Sequence, residues 1–427
     1  MRRFLCTVAA LALASSVSST SWGDGVVRDG IGAVPIGRGG TNLGFADNGA
    51  IILDNPAAMT NIAGCNLLDI GLDTVLCNVN YADAENNVDS AVRAYPAGMF
   101  GYVGRIPDSR WAWGIGGYAP AGFGAKFNMT NADVGGPTEY KSLGMLGKLL
   151  PGVAYQVTDR LSIGGTLGIA VCHAELEGPF YAQQPPFAGG PPTILDLQHT
   201  GVAPTGGVGL QYKVTPSTTI GIAYTEETRF DFDGTANVTF FTPFGQLNSE
   251  FDAQTNLVWP RSLGIGINHE LCCCQRVAFD VLWYDWSSAF SQMDITLSNP
   301  SDPFIAALVG TEIRDSLPMN WRDSVSYRFG YEWDATDRLT GRLGYIYHKS
   351  PVPDSTLNPY LDGILEHAFS AGLGYRLQGG AWLNLAYSYS FGPEREVGTS
   401  GLIGGDFSNS KLYADAHWAS VGLLWQY

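Results

Sequence analysis

Strict alternation of apolar with small or polar residues, repeated in segment after segment, constrains this chain more than any other feature. Val325, Tyr327, Phe329, Tyr331 and Trp333 share one face, and Ser326, Arg328, Gly330 and Glu332 share the other. Leu383, Leu385, Tyr387, Tyr389 and Phe391 alternate with Asn384, Ala386, Ser388 and Ser390. The same period runs from Leu161 to Val171 with a break at Gly165, from Ile220 to Thr225, and from Leu263 to Asn268. A period of two is the mark of a strand whose two faces meet different surroundings. No segment has 18 consecutive apolar residues, which argues against helical membrane spans. Only 15% of the 427 residues are charged, against about 25% in soluble domains. Aromatic residues make up 12%, too many for a disordered chain. The formal net charge of −16 disfavours nucleic acid, which selects basic patches. A transmembrane β-barrel reconciles these facts, because its strands alternate and its hydropathy stays near neutral.

The turns supply a topology. Tight breaks occur at Pro107-Asp108-Ser109-Arg110, Thr158-Asp159-Arg160, Thr215-Pro216-Ser217, Leu271 to Gln275, Asp334 to Arg338, and Gln378-Gly379-Gly380. Long connections are expected near 84–91, 121–140, 177–198, 241–250, 297–321, 352–365 and 394–410. Six short turns and seven long loops predict about fourteen antiparallel strands, with the short turns periplasmic. A soluble β-sandwich is the alternative, but it needs no such asymmetry. The chain ends on Tyr427, with Val421, Leu423 and Trp425 on the same face. That pattern resembles the signal read by the barrel-assembly machinery of bacterial outer membranes.

Residues 1–23 read as a secretory signal peptide. A basic Met1-Arg2-Arg3 precedes an apolar run from Phe4 to Ala14, then small and polar residues from Ser15 to Ser21. Cleavage is placed after Gly23. Residues 24–65 lack the period of two and carry Gly30, Gly32, Gly37, Gly39, Gly40, Gly44 and Gly49. They are expected to form a hatch inside the lumen of the barrel, residues 66–427, since a bare barrel of this size leaves an unfilled interior. The inward face reads as Gly, Ala, Ser and Thr. Such a lining suits a plug and an uncharged ligand, whereas a polar-solute porin lines its constriction with charge.

Gly37-Arg38-Gly39-Gly40-Thr41 through Asp54-Asn55-Pro56-Ala57-Ala58-Met59-Thr60 resembles the hatch of the long-chain fatty acid outer-membrane transporter (FadL) family, including its Asn-Pro-Ala signature. Tyr118-Ala119-Pro120-Ala121-Gly122-Phe123-Gly124, Tyr284-Asp285-Trp286-Ser287, Asn320-Trp321-Arg322-Asp323 and Ser350-Pro351-Val352-Pro353-Asp354 resemble later segments of that family in order and spacing. The resemblance runs from about residue 30 to the C-terminus. It implies an outer-membrane protein of a Gram-negative-type bacterium that passes hydrophobic molecules, long-chain fatty acids or aromatic hydrocarbons. It also implies capture in an extracellular groove, transfer to a luminal pocket, hatch rearrangement and lateral exit through a kinked strand. A general porin, or a structural or adhesive barrel, is the competing reading.

Asn55, Pro56 and Ala57 are the candidate gating residues; the plainer reading is an Asn-Pro turn. Phe45, Ile51, Ile52, Leu53 and Met59 either line a pocket from the hatch side or pack the hatch on the wall. Phe123, Phe127 and Met129 form the extracellular groove or belong to the aromatic girdle. Lys126, among them, either meets a fatty carboxylate or is an ordinary loop lysine. Six cysteines (Cys65, Cys77, Cys172, Cys272, Cys273 and Cys274) outlast removal of Cys6 and allow fifteen pairings. Their spacing does not suit zinc. The histidines form no i, i+4 pair and no Gly-x-Ser-x-Gly elbow occurs, so neither an enzyme nor a cofactor is expected.

Overall fold

A computed structural model describes residues 25–91, 94–188, 190, 192–242, 245–272, 274–403 and 407–427. The proposed signal peptide, its cleavage site and Cys273 lie outside the described residues. The strands form one closed antiparallel barrel of fourteen. Six are β1 (Asn66–Ala82), β2 (Ala94–Arg105), β3 (Trp111–Asn131), β4 (Gly136–Gln156), β5 (Leu161–Phe180) and β6 (Thr193–Thr215). The next four are each interrupted once: β7 (Thr218–Thr225 and Thr228–Thr242), β8 (Gly245–Trp259 and Ser262–Cys272), β9 (Gln275–Tyr284 and Gln292–Ser298) and β10 (Glu312–Pro318 and Ser324–Thr336). The last four are β11 (Leu339–Tyr347), β12 (His367–Arg376), β13 (Trp382–Phe391) and β14 (Lys411–Gln426). β14 closes on β1, from Leu67 opposite Gln426 to Ala82 opposite Lys411.

The residues on the apolar face of the alternation point outward. Tyr327, Phe329, Leu385, Tyr387, Ile265, Leu167, Val421 and Leu423 are all exposed, while Ser326, Asn384, Ser388 and Ser390 are buried inside. The six short turns fall where the turn residues stand. Two expected long loops do not exist. β3 runs to Asn131 and β4 restarts at Gly136, and β7 runs to Thr242 with β8 restarting at Gly245. Those strands rise beyond the lipid belt, where Lys126, Asn128 and Thr130 carry the outward face in place of apolar residues. Polarity there marks water outside the wall rather than a loop.

The lumen also departs from the expected small, uncharged lining. Asp69, Asp73, Asp280, Arg328, Glu332 and Arg342 point inward and are buried. They do not form an open charge ring. Glu332 holds Arg342 at 2.5 Å and Arg276 at 2.7 Å, and Asp280 accepts the backbone N–H groups of Asn42 and Leu43 at 2.8 and 3.0 Å. Buried charge persists only where it is paired or hydrogen-bonded. Counting residue types along one face shows which residues point inward, but not that a charged minority is neutralised, partly between neighbouring strands and partly against another segment.

That segment is residues 25–64, buried along most of its length within the strands. It contains α1 (Ala33–Gly37), α2 (Ile51–Asp54) and a 3-10 turn, Pro56–Asn61. Its approach to the wall is close enough to require glycine. Gly39 has φ 65°, and a Cβ there would stand 2.6 Å from the Phe329 carbonyl oxygen.

Candidate functional site

Above the luminal segment, the inward faces of the strands and the extracellular loops enclose an apolar cavity with an empty volume of about 1300 Å³. Leu195, Phe232, Phe290, Met293, Trp321 and Phe407 contribute to its wall. Its floor on one side is an aromatic cluster in which Trp286, Phe290 and Trp321 stand 4.7–4.9 Å apart, centroid to centroid. α3 (Trp286–Ala289) presents Trp286, and the residue that caps its C-terminus is Phe290. Its N-terminal cap, Asp285, accepts the Ser288 N–H at 3.4 Å and pairs with Arg261 at 2.5 Å. His199 reaches the cavity from β6; its Nδ1 lies 3.3 Å from Thr255 Oγ1, and its Nε2 is buried without a hydrogen-bond partner among the described residues.

A second cavity, about 900 Å³, lies between the wall and the luminal segment. Lys148, Asp54 and Tyr284 border it. Lys148 sits on the inward face of β4, opposite Tyr118. Among the described residues no carboxylate lies within ion-pair distance of its ammonium. Burial pushes the nearby Asp54 carboxyl up to about 6, against the opposing hydrogen bond from Asn42 and the charges of Arg328 and Arg38.

A third cavity, about 1130 Å³, opens beside a break in the wall. β2 pairs with β3 only from Phe100–Gly117 to Arg105–Ala112. Above that, β3 bends away at Tyr118–Ala121, where its register with β4 also shifts. Pro120 contributes no N–H, so the bend falls where a ladder bond is missing anyway. The window is occupied by the start of the luminal segment. Arg28 N–H donates to the Pro120 carbonyl at 3.0 Å, and Gly122 N–H to that of Val26 at 3.2 Å. Arg28 is fixed from the far side by Asp73 at 2.5 Å, which also accepts Gly32 N–H at 2.9 Å.

The sequence-selected residues distribute as follows. The Asn55 side chain donates to the Leu43 carbonyl at 2.9 Å and to that of Leu210 at 3.3 Å, and accepts from Ala57 N–H at 3.2 Å. Pro56 and Ala57 press against Gly164, where a Cβ would stand 2.6 Å from the Ala57 nitrogen. This trio therefore ties the luminal segment to β5 and β6. Ile51, Ile52 and Met59 pack with Leu67, Val103 and Leu150 on the lower wall and do not reach the upper cavity. Leu53 borders the second cavity. Phe45 lies 5.7 Å from the Arg276 guanidinium. Phe123 faces both the upper cavity and the window. Phe127 and Met129 are buried inside β3, with Phe127 edge-on to Tyr81 at 6.5 Å. Lys126 points outward and pairs with Glu139 at 2.5 Å, away from every cavity described above. Among the described residues, Cys65, Cys77, Cys172 and Cys272 are unbridged.

Sequence reasoning missed Lys148, His199, Phe232 and Trp321 as site residues. Three stand on different strands and Trp321 stands in the interruption of β10, and none is marked out locally by its neighbours in sequence. A lysine on the small-residue face of an alternating strand was the available signal for Lys148.

Residues 17–426 match the sequence model of a family described as outer membrane protein transport protein (OMPP1/FadL/TodX). The chain belongs to this family. Its location is accordingly the outer membrane, and members of this family are transport channels. The solved toluene transporter TodX of P. putida superposes with a TM-score of 0.79 at 20% identity, over 93% of this chain and 99% of that one. A FadL homologue of Pseudomonas aeruginosa gives 0.75 at 18% identity, over 94% and 100%. The toluene transporter TbuX of Ralstonia pickettii gives 0.72 at 19%, over 93% and 99%. At these identities the likeness establishes the fold. No curated protein matches the chain.

Proposed function

We propose that this OMPP1/FadL/TodX family member admits hydrophobic compounds passively, and that its ligand is a long-chain monocarboxylate. The carrying observation is the apolar upper cavity, about 1300 Å³ with its open space included, together with a second one bordered by Lys148, which has no ion-pair partner among the described residues. An alkyl chain gains about 0.8 kcal/mol per buried CH₂, so a chain of about sixteen carbons gains on the order of 12 kcal/mol before ordering costs. The Lys148 ammonium at the second cavity supplies the counter-charge that a carboxylate requires. The hatch, residues 25–64, gates the passage, and the β3 window is the exit into the bilayer, so the chain never returns to water.

A second reading takes aromatic hydrocarbons as the ligand. The rings of Phe123, Phe232, Phe290 and Trp321 favour it, and two of the similar structures are toluene transporters. Uptake of oleate and of toluene into proteoliposomes separates the two. Lys148→Met is expected to slow oleate about tenfold and leave toluene unchanged. Toluene uptake without oleate uptake would favour the second reading.

A further inference from the structure

The wall has another unzipped stretch, distant from the β3 bend. β6 pairs with the lower half of β7 up to Gly207 opposite Thr225, and with its upper half from Gln198 opposite Thr235. Between these, no ladder joins residues 199–206 to 226–234. Each side keeps its other partner, since β6 is paired with β5 from Thr193 to Tyr212 and upper β7 with β8 from Thr228 to Thr242. The stretch is thus a seam between two intact sheets. Among the described residues, the hydrogen bonds across it are one from Glu226 N–H to the Gly206 carbonyl at 3.0 Å and one between Thr205 Oγ1 and Thr228 Oγ1 at 3.0 Å, and the His199 ring meets that of Phe232 edge-on at 5.9 Å. Forgoing backbone pairing is costly at a lipid-facing wall, so an unzipped stretch there is a feature that needs a reason.

The two sides of the seam face different surroundings. On the outside, Val202 is 66% exposed, beside Leu167 at 75% and Ile169 and Val171, all in the lipid belt. On the inside, His199 and Phe232 border the upper cavity. The closing element is a pair of stacked rings, Phe230 and Phe232, 5.7 Å apart and nearly parallel. Phe232 lies over Gly201, where a Cβ would come within 2.8 Å of its ring. The absence of a side chain at Gly201 makes the seat for that ring.

We infer that this seam is a lateral port through which hydrophobic compounds dissolved in the outer leaflet reach the upper cavity directly, with Phe232 as its door. Opening requires a rotamer change of Phe230 and Phe232 and loss of the Thr205–Thr228 contact; the barrel's remaining ladders stay intact. The port rests on the uptake function proposed above and adds a membrane-side route to the extracellular mouth.

The test uses the full chain in proteoliposomes, with the native cysteines changed to serine and Thr205→Cys and Thr228→Cys introduced. The probe is a diazirine-tagged palmitate, either preloaded in the bilayer or delivered from cyclodextrin in water. Oxidising the pair is expected to slow labelling of cavity residues by bilayer-loaded probe about tenfold, with recovery on reduction, and to leave water-delivered probe unaffected. Phe232→Ala is expected to speed labelling from the bilayer. Equal labelling by bilayer-loaded probe in the oxidised and reduced forms would overturn the port. Failure of the unmodified protein to take up probe by either route would overturn the uptake function and the port with it.

Discussion

At the scale of single residues, the luminal segment is held by a few polar side chains whose loss is measurable. Asn55 satisfies two carbonyls and one N–H in a buried setting. Asn55→Ala strands them, at a cost of roughly 1–3 kcal/mol. Surface amounts of folded barrel are expected to be unchanged while oleate uptake falls and residues 25–64 exchange amide hydrogens faster. Normal uptake at normal surface level would contradict a gating role. Asp54 gives a pH test. It faces Asn42, Arg328, Arg38 and Asp280, and burial pushes its carboxyl up to about 6. A carboxyl raised in the folded state favours the seated segment when protonated. Its contribution is therefore greatest below the ordinary carboxylate range, about 4. It is lost as pH rises to about 6. Hydrogen exchange of residues 25–64 is expected to accelerate across that interval, and Asp54→Asn to flatten this part of the profile.

At the scale of elements, alternation did what physics requires of it. Leu263, Ile265 and Ile267 meet lipid, and Gly264 and Gly266 meet Leu43 of the luminal segment. Alternation says nothing about ladders that stop. The β3 bend, the interruptions in β7 to β10 and the seam beside Gly201 interrupt no pattern of apolar residues strongly enough to be read. They follow from which neighbour each strand pairs with. Small residues on the inner face prove to be docking surface. Gly344 lies under Gly39, so Gly344→Val is expected to give an assembled, heat-modifiable barrel whose residues 25–64 are cut by added protease. Protection equal to the parent protein would show that the contact is dispensable.

At the scale of the whole molecule, the barrel is sealed at Tyr427, whose N–H donates to the Asn66 carbonyl at 3.0 Å and whose carbonyl accepts Asn66 N–H at 2.9 Å. Removing Tyr427 deletes the last rung of the closing seam and the proposed assembly signal together. The folded, heat-modifiable fraction in the outer membrane is expected to drop several-fold. Unchanged assembly would remove Tyr427 from that role.

The sequence alone determined the strand class, the faces, the short turns and the likeness to a transporter family. Each of these depends on local periodicity or on contiguous motifs, and a chain displays such properties along its length. Tertiary structure alone decided that Lys126 is neutralised on the outside while Lys148, within, has no ion-pair partner among the described residues. It alone showed that inward charge is satisfied by the luminal segment and by pairing between strands, and that the wall parts beside Pro120 and again beside Gly201. Those outcomes depend on which residues far apart in sequence become neighbours when the sheet closes.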